Sequence, residues 1–286
     1  MSLTWPLVLL VLCGAALHAG WNALVKASAD KAVDTALLHG LGALVALPVA
    51  LWLGLPDAAS WPFLAASTLI HVGYYIALVG AYRHGELGLT YPIMRGFAPL
   101  LVALASASVL GEVLTPTAWL GVLGISLGVT LVGLAHPGEA LHHGKALAFA
   151  FANAAIIAAY TLIDGQGVRQ SASALNYVVW LFVLDGIIYP LGVWLRRSPQ
   201  GRRDIVAYAR GRWPIVMAGS AASLGSYAIA LWAMTQAPVA SVAALRETSV
   251  LFAALLGTWL LKEKFGLQRL LGTMVVVGSV VALRMA

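Results

Sequence analysis

The chain has 286 residues, 61% of them hydrophobic and 10% charged, with one cysteine and a formal net charge of +6. A soluble domain carries about 25% charged residues, so this composition excludes a water-soluble globule and places the chain in lipid. The surplus of base lies in short segments between apolar stretches, which is an orientation signal and not a nucleic-acid footprint; the lone Cys13 excludes an intramolecular disulfide and a cysteine metal cluster.

A bilayer core of about 30 Å needs about 20 apolar residues per helix. Ten stretches qualify: 6–27, 33–54, 61–82, 89–110, 115–135, 146–164, 174–195, 213–235, 239–261 and 266–284. No Lys or Arg precedes the first, so it reads as a retained helix rather than a signal peptide. Helix one carries His18, Trp21 and Asn22 on one stripe, with Lys26 near its end. Helix three carries His71, Tyr74, Tyr75 and Tyr82 at i, i+3, i+4 and i+11, again one face of a 3.6-residue helix. In helix four, Tyr91 precedes Arg95 by one turn, and Pro99 removes the hydrogen bond to the carbonyl of Arg95, which predicts a kink there. Helix five is built of Gly, Val, Leu and Ile around Trp119. Gly121, Gly124 and Gly128 there, with Gly272 and Gly278 in helix ten, permit close helix contact and mark both helices as peripheral struts.

The connector at 135–145 holds His136, His142 and His143 with no carboxylate or cysteine beside them, so it reads as a solvated loop and not a metal site. Helix six offers Asn153, Tyr160, Thr161 and Asp164; helix seven holds Asp185. The turn Ser198-Pro199-Gln200-Gly201 opens a basic linker with Arg202, Arg203, Arg210 and Arg212. Helix eight offers Ser223, Ser226 and Tyr227, and helix nine holds Arg246 and Glu247.

These elements repeat. Trp61-Pro62 and Gly73-x-Tyr75 return as Trp213-Pro214 and Gly225-x-Tyr227, while Arg95, Glu112 and Gly121 align without a gap with Arg246, Glu263 and Gly272. The units run over 1–137 and 143–286. Five helices per unit is an odd number, so the copies lie upside down relative to each other, as in carriers whose repeats rock around a central substrate. Recurring polar and aromatic stripes would then enclose one cavity.

Tyr and Trp also collect at membrane interfaces, and Ser, Thr and Asn stitch helices together. Tyr82 and Lys26, close to helix ends, fit that use. His71, Tyr75, Trp21 and Asn22 lie well inside their spans and fit the cavity. Arg95 and Arg246 lie about two turns deep, where charge is expensive, and fit a carboxylate site or gates at opposite levels of one pathway. The competing role is an internal ion pair, with Asp185 or Glu247 as the acid; Glu247 adjoins Arg246 in sequence, so such a pair would run between helices. Catalysis finds no support: no His-Glu-x-x-His, Gly-x-Ser-x-Gly, P-loop or dinucleotide fingerprint occurs.

The twofold repeat, the tail of each unit (Pro99 through Leu110-Gly111-Glu112, then Trp119-Leu120-Gly121; Leu261-Lys262-Glu263, then Leu270-Leu271-Gly272) and Trp21-Asn22 resemble the drug/metabolite transporter superfamily in its ten-helix EamA branch. The second tail departs from the pattern, with Lys262 in place of Gly111 and Val250 in place of Pro99. The resemblance implies an inner-membrane carrier of small polar metabolites without a cofactor. Members include YddG-type exporters of aromatic amino acids, and related branches move nucleotide sugars, sugar phosphates or drugs. Smaller relatives couple to protons through a glutamate in helix one, where this chain has no carboxylate.

The expected protein is therefore an all-α polytopic carrier with ten transmembrane helices in two inverted repeats. It would export amino acids, aromatic or hydrophobic ones, or similar small metabolites, through a site formed by His18, Trp21, Asn22, His71, Tyr74, Tyr75, Tyr91, Arg95, Tyr160, Tyr227 and Arg246. A carrier of nucleotide sugars, sugar phosphates or drugs is one rival and a membrane-embedded enzyme the other. Lys and Arg gather in the loops on one side, while the side holding both termini carries Arg169 and Arg284, so the positive-inside rule puts the termini outside. A reporter active only in the cytoplasm, fused after Ala286, should therefore be dark; a bright fusion reverses the orientation.

Overall fold

A computed structural model describes residues 3–26, 28, 30–84, 87–133, 144–261 and 266–286. The connector with His136, His142 and His143, the tail residues Lys262, Glu263 and Lys264, and the side chains of Lys26 and Tyr82 lie outside the described residues. Among the described residues the secondary structure is helical, with no strand. In chain order come α1 (Trp5–Lys26), α2 (Lys31–Leu53), a 3-10 turn (Ala58–Ser60), α3 (Trp61–His84), α4 (Leu87–Leu110), α5 (Pro116–Gly133), α6 (Gly144–Arg169), α7 (Ala174–Leu195), α8 (Pro199–Gln236), α9 (Val239–Arg246), α10 (Ser249–Leu261) and α11 (Leu267–Arg284). Ten spans are long and apolar enough to cross a membrane, α9 and the start of α10 counting as one. In lipid every backbone group must find a partner inside the protein, and helices satisfy that demand within each segment.

Local chemistry sets the boundaries. Asp30 caps α2 by accepting from the Val33 N–H at 3.1 Å. Burial alone would raise the Asp30 carboxyl, but the Val33 N–H and the Arg197 guanidinium outweigh it and hold the group below its ordinary value. Past the end of α4, Gly111 adopts φ +69°, a left-handed turn that suits glycine. The turn carries Glu112 to the start of α9, where its carboxylate accepts from the Val239 N–H at 2.9 Å and meets Arg169 at 2.6 Å. Arg169 in turn donates to the carbonyls of Met234 and Ala237 at 2.8 and 3.1 Å. An acid from one half of the chain thus caps a helix of the other half, at the dipole end that favours negative charge.

One expectation from the sequence needs correction. The basic stretch after Gly201 is no linker: Ser198 accepts from Gly201 N at 3.1 Å, Pro199 takes the first helical turn, and α8 runs 38 residues from there. Helix four runs unbroken through Pro92 and Pro99. A helix break falls in the ninth span, at Glu247–Thr248, where no proline stands.

The halves pack on each other. α1 lies against α8 and α10, α2 against α7, α3 and α4 against α6, and α5 against α11. Exchanging the first five spans for the last five maps this set of pairings onto itself. The seam between α5 and α11 is close: a Cβ added at Gly128 would fall 2.8 Å from the Gly272 carbonyl oxygen, and one at Gly272 would fall 2.9 Å from the Gly128 oxygen. Gly278, the other glycine expected to allow close contact, has no neighbour within 4 Å of its Cβ position. The struts are therefore joined to each other rather than separately peripheral. Gly128→Ala or Gly272→Ala should each overpack the seam at a cost of about 1–3 kcal/mol and lower the melting temperature in detergent. Gly278→Ala should leave it unchanged; equal effects at all three positions would contradict the close contact.

Candidate functional site

The ninth span stops being helical where its sequence turns polar. Arg246-Glu247-Thr248-Ser249 follows seven residues that are apolar or small, and the Thr248 hydroxyl bonds back to the Leu245 carbonyl at 2.7 Å, closing the first helix. Irregular backbone at membrane depth survives only inside protein. Here Glu247 is 5% exposed, with Thr248 and Ser249 at 1%.

The break brings the guanidinium of Arg95 to the carboxylate of Glu247 and sets Arg246 beside them. Arg95 Nε, from α4, lies 2.6 Å from Glu247 Oε2, and its Nη2 donates to Ser249 Oγ at 3.4 Å. The Arg95–Glu247 contact is ionic without the alignment of a hydrogen bond. Arg246, one residue away, has a different partner: its guanidinium lies over the Tyr227 ring, 5.1 Å from the centroid. Among the described residues no carboxylate or hydrogen-bond acceptor meets Arg246. The two arginines therefore occupy one level, the break, and not the opposite levels expected from the repeat.

Tyr227 is itself held in place. Its hydroxyl donates to Asp164, as does that of Tyr177 at 2.9 Å, so the ring of Tyr227 is fixed with one face towards Arg246. Across the site Tyr160 lies 4.5 Å from the His71 ring and 6.1 Å from Tyr74. His18 and Tyr160 both feel the charges of Arg95 and Arg246, and Tyr91 feels Arg95 and Glu247, which groups these residues around the break. His18, Tyr74, Tyr91 and Tyr227 are surrounded by neighbouring helices yet keep part of their surface open.

The remaining expected residues divide. Trp21 lies edge-on to His18 at 5.1 Å, and its indole N–H is buried with no acceptor among the described residues. Asn22 donates its amide to the His18 carbonyl at 2.8 Å, so part of its hydrogen-bonding capacity is used within α1. Tyr75 turns away from the arginines: its hydroxyl meets His39 Nε2 at 2.6 Å and its ring lies 4.2 Å from Tyr189. His71 pairs with Asp185 at 3.0 Å, joining α3 to α7. His39 and Tyr189 were not among the expected site residues. His39 lay on a helix without a recognised stripe, and Tyr189 shares a span with Tyr177 and Asp185, of which Asp185 alone stood out in the sequence.

The profile of the EamA-like transporter family matches residues 144–285. No curated protein matches the chain. Among solved structures 27 chains match; one crystal structure is similar over 99% of this chain and 98% of its own, at 18% identity and a TM-score of 0.76. That likeness concerns the fold.

Stability separates the two arginines. Arg95→Leu leaves Glu247 buried and uncompensated and should cost about 3–5 kcal/mol, most of it recovered in Arg95→Leu/Glu247→Leu. Arg246→Leu removes the contact with the Tyr227 ring and should cost only about 1 kcal/mol. Urea or thermal unfolding in detergent reads both; a larger loss at Arg246 would contradict the assignment of partners.

Proposed function

The chain belongs to the EamA-like transporter family, and from that premise we propose that it exports amino acids with aromatic or hydrophobic side chains by alternating access. The observation that carries the proposal is the guanidinium of Arg246. It is 8% exposed, has the Tyr227 ring as its described contact, and is the cation at the break that no acid neutralises among the described residues. A guanidinium presents a rigid fork that suits a carboxylate, and a desolvated site strengthens that contact. Tyr74, Tyr91, Tyr160 and Tyr227 supply ring faces for an apolar side chain. The indole N–H of Trp21 is a further unmet donor, and His18 completes the polar contacts. Asn22 acts on the substrate by way of His18 and His71 by way of Tyr160, while Tyr75 steadies the neighbouring helix through His39.

Two repeats, 1–137 and 143–286, would rock about the break in inverted orientation, and the exchange symmetry of the helix pairings supports that reading. Arg95–Glu247 spans the halves and is the contact such motion would strain. The location is a bacterial-type inner membrane with both termini outside, on the strength of the loop charges. The chain acts as a carrier rather than an enzyme, in keeping with its family. Sugar phosphates and nucleotide sugars carry two or more negative charges, which a site with one free arginine matches less well.

Counterflow with purified protein in liposomes tests this. Labelled phenylalanine should be exchanged by internal phenylalanine or leucine and not by internal glucose phosphate or a cationic drug. Arg246→Lys should reduce exchange about tenfold or more while inserting normally, because an ammonium lacks the fork. Exchange of sugar phosphates in preference to amino acids would overturn the proposal.

A further inference from the structure

The first half of α8 is not used by the transport path. At 1.5 Å per residue the 38 residues of α8 span about 57 Å, well beyond a hydrocarbon core of about 30 Å. The surplus lies at its start, and both ends of that surplus are tied to one place. Arg197 Nη2 meets Asp30 at 2.7 Å and Arg212 Nη2 meets Asp34 at 3.0 Å. Asp30 and Asp34 stand one turn apart at the beginning of α2. The two ion pairs tie this run of roughly 20 Å to the turn where α2 begins, at the end of the bundle.

One face of this run carries Arg202, Arg203, Val206, Ala207 and Arg210, spaced i, i+1, i+4, i+5 and i+8. Together with Trp194 at the end of α7 they line a groove of about 350 Å³, away from the arginines of the transport site. Arg202 donates from Nε to the Trp194 carbonyl at 3.1 Å and lies over its ring at 5.6 Å. The one acid of the run, Asp204, points from another face and accepts from Gln200 at 3.1 Å. Among the described residues Arg202, Arg203 and Arg210 meet no carboxylate, in contrast to Arg197 and Arg212. The apolar surface beside the groove continues down α7, where Leu195 and Leu191 are 62% and 50% exposed.

We propose that this groove binds the phosphate head group of an anionic phospholipid, with its acyl chains along Leu195 and Leu191. Guanidinium groups bind phosphate through paired N–H donors, and three of them without acids favour an anionic head group over a zwitterionic one. Trp194, Val206 and Ala207 give the glycerol an apolar floor. A soluble phosphate would satisfy the arginines but leave the adjoining apolar face uncovered, which is why a lipid is the better occupant. Polybasic segments at a membrane surface attract anionic lipid, and here the segment also has a shaped site.

Native mass spectrometry of the purified full chain in detergent tests the site, with phosphatidylglycerol and phosphatidylcholine as probes. Wild type should retain phosphatidylglycerol about tenfold or more over phosphatidylcholine. Arg203→Gln/Arg210→Gln, at two exposed positions, should lose most of that preference. Lys145→Gln/Lys264→Gln, which removes the same charge in other parts of the chain, should keep it. Equal retention of the two lipids by wild type would overturn the proposal, as would equal losses in the two double variants. Glycerol phosphate displacing the lipid at comparable concentration would also overturn it, by showing a site for soluble phosphate. None of these readings depends on amino-acid export.

Discussion

Two arginines and one glutamate meet at the break in the ninth span, and the account of this protein depends on how that charge is shared. A charge inside a membrane must be paired, solvated or used. Arg95 takes Glu247 across the halves, at 2.6 Å. Arg246 is left with a tyrosine ring, which attracts a cation without neutralising it. Arg246 is therefore the guanidinium of the site that no carboxylate meets directly, and the proposed contact with a substrate carboxylate rests on it.

The surrounding structure holds the imbalance in place. Glu112 and Arg169 pin the start of α9, which fixes where the break falls eight residues later. Asp164 and Tyr177 fix Tyr227, which fixes the surface beneath Arg246. The glycine seam between α5 and α11 joins the halves at a distance from the charges, with Gly128 and Gly272 backbone to backbone. A carrier that rocks needs one contact that persists and one that changes. The apolar seam suits the first and the Arg95–Glu247 ion pair the second.

Much of this was legible in the sequence. Apolar run lengths located ten spans, and the repeat singled out Arg95 and Arg246 as an equivalent pair. The glycines Gly121, Gly128 and Gly272 announced close packing. Local rules failed where tertiary demand overrode them. The helix break lies in the ninth span at a polar run that buries two charges, and no proline stands there. The four consecutive polar residues from Arg246 to Ser249 were the available signal. The turn at Ser198-Pro199 read as a loop, although a serine followed by proline is equally a helix start. Symmetry suggested equal roles for the two arginines. Their difference arises from Glu247, which stands beside Arg246 but has no counterpart beside Arg95, where Gly96 follows.

The central claim is that Arg246 and the carboxylate of the substrate recognise each other. A thermodynamic cycle tests it most directly, measuring by calorimetry the binding of phenylalanine and of phenylalanine amide to wild type and to Arg246→Gln. The amide keeps the ring and the amine but lacks the charge. The account predicts that wild type favours the acid by about tenfold or more, in line with a charged hydrogen bond, and that Arg246→Gln binds both alike. The same preference for the acid in both proteins would contradict it.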